Sequence, residues 1–296
     1  MNYRHIYHAG NFADVLKHAV LARLVTYLKG KDKAFRVIDT HAGIGLYDLS
    51  QEEAQKTGEW RDGIGRLLAT PLPPDIEALL APYLDCVREL NPGMNQGMEA
   101  GSVTLYPGSP KLTRMLLRPQ DRLSALELHP QDSATLARLF DGDYQTRVTE
   151  LDGWLALGAH LPPKEKRGLV LVDPPFELAG EYERLVSGLA KAHRRFPGGT
   201  YCLWYPLKQG APIAAFHEAL KALNIPKMLC AELAVRSDRD TTGLSGSGLI
   251  LVNPPFTLKQ ELDVLLPVLK DRLRQDRFAS ARAFWLRQEA TEEDDA

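Results

Sequence analysis

Three features of this 296-residue sequence predict an α/β fold built on a doubly wound, mostly parallel sheet. From residue 122 onward, short apolar runs of strand length alternate with helix-length segments. The runs are apolar throughout, as in Gly168-Leu-Val-Leu-Val172, which marks strands covered by helices on both faces. Only ten residues separate the last two runs, 227–236 and 247–252, too few for a crossover helix, so these two pair as an antiparallel hairpin.

The first helix is set by Phe12, Val15, Leu16, Ala19, Val20, Leu24 and Leu28 at helical spacing, with Asn11 as N-cap and Gly30 as stop. A buried strand follows at 34–39 and ends in Thr40-His-Ala-Gly-Ile-Gly45. Residues 48–101 break the rhythm: they are rich in helix formers and punctuated by Pro71-Leu-Pro-Pro74 and Asn91-Pro-Gly93, which predicts a small helical insertion subdomain with two loops. The main domain, 1–47 and 102–287, resumes with a turn at Tyr106-Pro-Gly-Ser-Pro110 and a short helix through Leu117. Strands are expected at 122–128, 146–150, 168–172 and 200–205, and helices at 131–141, 180–195, 211–223 and 257–275. With the first strand and the hairpin this makes a seven-stranded sheet with an antiparallel strand. The acidic end, 288–296, is expected to be disordered.

Composition narrows the function classes. A net charge of −2 excludes a protein that merely coats nucleic acid. The average hides segregation: residues 1–33 and 270–287 each carry +4, whereas 48–100 carry −6. Three scattered cysteines, Cys86, Cys202 and Cys230, form neither a disulfide framework nor a Cys-rich zinc site. The N-terminus lacks an apolar signal core and no run is long enough to span a bilayer, so a cytoplasmic protein without a membrane partner is expected. His5-x-x-His8 lacks an acidic or cysteine companion, so no metal site is expected.

Three motifs carry chemistry. Asp39-Thr-His-Ala-Gly43-Ile-Gly45 follows a strand, where glycines admit close approach of a ligand. Asp48 stands where a dinucleotide fingerprint needs its third glycine, which disfavours pyrophosphate. A methionine-based cofactor carries an ammonium and a carboxylate instead: Asp39 suits the ammonium, and His41 with backbone N–H groups suits the carboxylate. Glu127, at the end of the next strand, suits ribose hydroxyls; it lies 82 residues past Gly45, a gap the insertion explains. Asp152-Gly153 suits an adenine amino group.

The third motif is the most specific: Asp173-Pro-Pro-Phe176 after Gly168-Leu-Val-Leu-Val172. Aminomethyltransferases of adenine or cytosine carry Asp/Asn-Pro-Pro-Tyr/Phe at this place. An exocyclic amine is a poor nucleophile because its lone pair is delocalised into the ring. A carboxylate and a proline carbonyl that accept its two N–H bonds localise that pair, the prolines fix the loop, and Phe176 stacks on the base. A second copy, Asn253-Pro-Pro-Phe256, follows Gly248-Leu-Ile-Leu-Val252. That strand is the antiparallel one, so its carboxyl end points away from the ligand edge and Asn253 is expected to be a remote turn residue. The loop 236–247 has two equal readings, substrate lid or plain loop.

Across nearly the whole chain the sequence resembles the ribosomal RNA large subunit methyltransferase J family. The resemblance lies in Tyr3-Arg-His5, His8-Ala-Gly-Asn11, Ala13-Asp-Val-Leu-Lys-His18, Asp39-Thr-His-Ala-Gly43, Tyr106-Pro-Gly-Ser109, Glu127-Leu-His-Pro130, Leu171-Val-Asp-Pro-Pro175, Leu203-Trp-Tyr-Pro206 and Val252-Asn-Pro-Pro255. It implies a Rossmann-like class I S-adenosylmethionine-dependent methyltransferase that modifies N6 of one adenine in 23S rRNA. It further implies that His18, His41, Ser109, Glu127, Asp152, Gly153 and Asp173 line the cofactor and catalytic site, and that Tyr3, beside Arg4, touches the RNA. Phe176 stands where Tyr is common, which keeps stacking and drops a hydroxyl. The expected partner is 23S rRNA, not the assembled subunit, taken by a monomer. The motif reads an extruded adenine and not the polymer, so the alternatives are a DNA adenine-N6 methyltransferase and an inactive nucleic-acid-binding protein on the same fold.

Overall fold

The computed structural model describes residues 4–95, 103–239 and 243–288. Tyr3, part of the Asn91–Gly101 loop and the tail past Gln288 lie outside the described residues.

Helix α1 (Phe12–Lys29) begins where predicted: the Asn11 side chain accepts hydrogen bonds from the backbone N–H of Ala13 and Asp14. It is buried almost all round, including Asp14, Lys17 and His18. β1 (Arg36–Asp39) follows, then a small antiparallel pair of β2 (Leu46–Asp48) and β3 (Leu105–Pro107). Between those two strands lies the predicted helical segment: α2 (Glu52–Thr57), a π turn Arg61–Gly65 leading into α3 (Arg66–Leu68), and α4 (Pro74–Leu90). Ile76, Leu80, Tyr83, Leu84 and Val87 of α4 join the same hydrophobic core as α1, so the segment is a layer laid over α1.

The alternating part runs α5 (Ser109–Leu116), β4 (Arg122–Glu127), α6 (Pro130–Leu139), β5 (Thr146–Glu150), α7 (Gly153–Ala159), β6 (Gly168–Val172), α8 (Glu181–Arg195), β7 (Thr200–Leu207), α9 (Ile213–Lys221), β8 (Met228–Ala234), β9 (Gly246–Val252), α10 (Leu258–Leu273) and β10 (Ser280–Arg287). The main sheet has the order β10-β8-β9-β7-β6-β1-β4-β5. β5, β4, β1, β6 and β7 are mutually parallel, and β9 runs antiparallel to both β7 and β8 as the short link required.

This is the Rossmann-like doubly wound sheet expected from the sequence, with one correction: eight strands, not seven. The extra strand, β10, pairs antiparallel with β8 at the edge. Its sequence reads as part of a basic run because an edge strand is wetted on one side and keeps its charges; Arg282 and Arg287 lie in it. One face of the sheet is covered by α1, α5, α10 and the inserted helices, the other by α7, α8 and α9. Among the described residues no helix is long and apolar enough to cross a membrane.

Candidate active site

The carboxyl ends of β1, β4 and β6, with the start of α1 and the end of β7, surround one cleft of about 650 Å³. Eleven of the residues singled out in the sequence line it: His18, His41, Gly43, Ser109, Glu127, Asp152, Gly153, Asp173, Pro174, Pro175 and Phe176. The topology brings them together across 158 sequence positions, from His18 to Phe176, because each sits at a strand end or the helix start facing it.

One half is built around the glycine turn. Gly43 has φ +60, and a Cβ there would come within 2.4 Å of the Tyr47 hydroxyl. Its N–H donates to Oε2 of Glu127 at 2.8 Å, while the His129 N–H donates to Oε1 at 2.8 Å. Burial pushes the Glu127 carboxyl up from its ordinary value against those two bonds. Each oxygen keeps a lone pair after its backbone bond, which suits a pair of hydroxyls. Gly153 must also be glycine, since a Cβ would lie 2.1 Å from the Thr40 carbonyl oxygen. Asp152 caps α7 through the Trp154 N–H at 2.9 Å and accepts from Arg184 at 3.2 Å.

His41 is neutral here: burial lowers its pKa to about 4. The Thr40 hydroxyl donates its one proton to the Leu171 carbonyl at 2.9 Å, so it accepts from Nδ1–H of His41 at 2.8 Å. That leaves Nε2 as the ring's acceptor. His18 is likewise held down at about 3 by burial, with Nδ1 against the Tyr106 hydroxyl at 2.8 Å.

Asp39 is placed differently from the expectation. It is fully buried and does not line the cleft. Oδ2 accepts from the Ser109 hydroxyl at 2.6 Å, and Oδ1 is buried with no hydrogen-bond partner among the described residues. Burial raises its pKa to about 7. It acts on the cleft by holding Ser109.

The other half is the Asp173-Pro-Pro-Phe176 loop. Phe176 takes a positive φ of 53°, a conformation that costs a non-glycine residue free energy and gathers at functional sites. Its ring meets Tyr182 at 4.8 Å and Trp204 at 5.6 Å, both edge-on. Asp173 Oδ2 accepts from the ammonium of Lys17, which also contacts Oδ1 of Asp14 at 2.9 Å. Burial opposes the charge on Lys17, but the two carboxylates outweigh it and hold its pKa well above the usual lysine value. Asp14 in turn receives His5 Nε2 at 2.9 Å and the Gly10 N–H at 2.9 Å.

Residues 32–287 match the family model described as "Ribosomal RNA large subunit methyltransferase D, RlmJ". The chain belongs to the RlmJ family. It is 42% identical over 286 residues to the ribosomal RNA large subunit methyltransferase J of Escherichia coli K12, covering 97% of this chain and 99% of that one. The Haemophilus influenzae protein of the same name is 42% identical over 287 residues, with 97% and 99% covered. A crystal structure from Legionella pneumophila superposes with a TM-score of 0.82 at 33% identity, covering 94% of this chain and 98% of that one.

Within this RlmJ-family chain, the second motif sits where topology put it. Asn253 ends β9 at the opposite edge, where its Nδ2 donates to the carbonyls of Pro197 and Gly199, both at 2.8 Å. It is not part of the cleft, and Phe256 is 82% exposed. Arg4 is exposed and pairs with Glu53 at 3.5 Å, outside the cleft lining. His5 and His8 each meet a carboxylate, Asp14 and Glu59. Lys17, Asp14, Trp154 and Trp204 line the cleft and were given no role from sequence. For the first two a signal existed: a helix apolar on every side must bury any charge it carries, and buried charges need partners.

Proposed function

We propose that this protein transfers a methyl group from S-adenosylmethionine to the exocyclic N6 amine of an adenine in 23S rRNA, working in the cytoplasm on RNA not yet assembled into the subunit. The observation that carries this reading is the Asp173-Pro-Pro-Phe176 loop, held by a buried lysine at the carboxyl end of β6 and opening on the same cleft as Glu127, Asp152 and His41. The names of the two relatives agree with a large-subunit ribosomal RNA substrate.

The cleft residues fit such a cofactor. Glu127 offers two oxygens to ribose hydroxyls, Asp152 an acceptor to an adenine amine, and neutral His41 with the Gly43 turn a lining for the amino-acid end. S-adenosylmethionine supplies an electrophilic methyl group when bound. The rest is done by the chain. Lys17 occupies Oδ2 of Asp173, so Oδ1 is the oxygen left to accept an amine N–H; the Pro174 carbonyl takes the other. With both N–H bonds engaged, the nitrogen lone pair is aimed out of the ring plane. After transfer the amine has one proton in excess, and the Asp173 carboxylate takes it. Extruding the base costs a few kcal/mol. Stacking on Phe176, beside Trp204, returns roughly 1–3 kcal/mol.

The test is labelled-methyl transfer to naked 23S rRNA, assembled large subunits and duplex DNA, followed by nucleoside analysis. N6-methyladenosine in naked 23S rRNA is the expected result. Label in DNA alone, or in none of the three, overturns the reading.

A further inference from the structure

The rim of the cleft is not uniform. On the side of β1 and β4 it carries Glu127, Asp132 and Asp152. On the side of β7 and the segment after β8 it carries Lys208 and Arg236, and among the described residues lining that wall there is no carboxylate. Glu177 and Glu181 approach from the motif loop and the start of α8. The nearby Asp276 is committed to backbone, accepting from the N–H of Ser237 at 2.9 Å and of Phe278 at 2.7 Å.

Arg236 is held ready for a ligand. One Nη donates to the Leu244 carbonyl at 3.0 Å, which fixes the plane of the guanidinium. Gly243 lets it lie flat, since a Cβ there would come within 3.3 Å of Nη2. Its Nε is buried and, among the described residues, has no hydrogen-bond partner. A buried donor left unpaired is costly, and an incoming oxygen relieves that cost. Guanidinium geometry matches a phosphate with two parallel N–H bonds. Lys208, exposed beside it on the same wall, adds a point charge.

We propose that Arg236, with Lys208, grips the backbone phosphate beside the extruded adenine and so positions the target nucleotide over Phe176. This rests on the adenine reading above. A splayed base can enter the pocket only while its sugar and phosphate stay outside it, and both cations line the cleft, Lys208 exposed and Arg236 partly buried.

The experiment measures binding of naked 23S rRNA against salt, and single-turnover methyl transfer, for wild type, Arg236→Gln, Arg236→Lys and Lys208→Gln. For Arg236→Gln we expect about tenfold weaker RNA binding and a log–log salt slope shallower by about one. S-adenosylmethionine affinity should be unchanged, and Arg236→Lys should recover part of the loss. Should Arg236→Gln fold poorly, the exposed Lys208→Gln must still flatten the slope. Wild-type affinity and slope in both glutamine variants would overturn the clamp. Absence of methylation by the wild-type chain would instead overturn the adenine reading, and the salt slope would still judge the clamp.

Discussion

Two Pro-Pro-Phe turns in this chain follow nearly identical strand sequences, yet only one meets the cleft. Asp173 and Asn253 both end a buried apolar strand, and both turns contain a non-glycine residue at positive φ, Phe176 at 53° and Asn253 at 50°. The difference lies in direction. β6 runs parallel to its neighbours and delivers Asp173 to the ligand edge, whereas β9 runs against them and delivers Asn253 to the other. Once there, the first side chain meets the ammonium of Lys17 and the second meets two backbone carbonyls. A motif is thus a local shape, and the sheet decides what that shape faces.

The largest expected effect comes from removing the group that only one turn has. Asp173→Ala should slow single-turnover methyl transfer by at least 10²-fold, the lower bound for a positioned acid–base group, while the protein stays folded. A rate near wild type would erase the distinction between the turns.

Second comes the partner that makes Asp173 different. Lys17→Met takes the ammonium away from Asp173 and leaves Asp14 with His5 and the Gly10 N–H. A charge-assisted hydrogen bond is worth about 1.5–3 kcal/mol, so the rate should fall roughly tenfold to a hundredfold. Melting temperature should fall as well, because a buried carboxylate loses its counter-ion. The paired change Lys17→Met with Asp14→Asn should restore melting temperature more than rate. If rate and stability recover together, Lys17 is structural only.

How much of this was legible follows from the range of each signal. Asp173, Glu127, Asp152 and the glycine turn could be placed because each is local: a residue type at the end of an apolar strand. The Lys17–Asp173 pair joins residues 156 positions apart, and nothing near either one announces the other. Asp39 has the right residue type and strand end, but its carboxylate turns inward onto Ser109, a choice made by packing and not by sequence pattern. β10 escaped for the opposite reason: its arginines and half-exposed alternation are what an edge strand tolerates, and a helical core gives no such pattern.

The third prediction uses pH to separate the two edges. Burial raises Asp39 to about 7, against about 3.8 unfolded. The folded state therefore holds a proton that the unfolded chain has released, and stability falls as pH rises from about 4 to about 7. This contribution is complete below the unfolded value and gone above the folded one. Asp39→Asn keeps an oxygen for the Ser109 hydroxyl and removes the titration, so it should flatten that slope by up to about 1.4 kcal/mol per pH unit. Denaturant melts at pH 4.5, 5.5, 6.5 and 7.5 measure it. A wild-type slope in the variant would show that Asp39 is not the group responsible.

The smallest effect on chemistry should come from the second turn itself. Asn253→Ala removes two hydrogen bonds to the carbonyls of Pro197 and Gly199, and puts alanine where φ is positive. Both changes act on the folded chain at the edge far from the cleft, so stability should drop by about 1–3 kcal/mol. Among the described residues that side chain bonds to backbone carbonyls and to no titratable group, so the drop should be the same at every pH, a parallel shift beside the flattened curve of Asp39→Asn. Single-turnover rate at a temperature where the variant is folded should remain within about twofold of wild type. Asn253→Gly refines the comparison. It lacks the same side chain but accepts the positive φ, so its deficit measures the hydrogen bonds and the remainder measures backbone strain. If either substitution slowed methyl transfer as much as Asp173→Ala, the two turns would be equivalent and strand direction could not be what separates them.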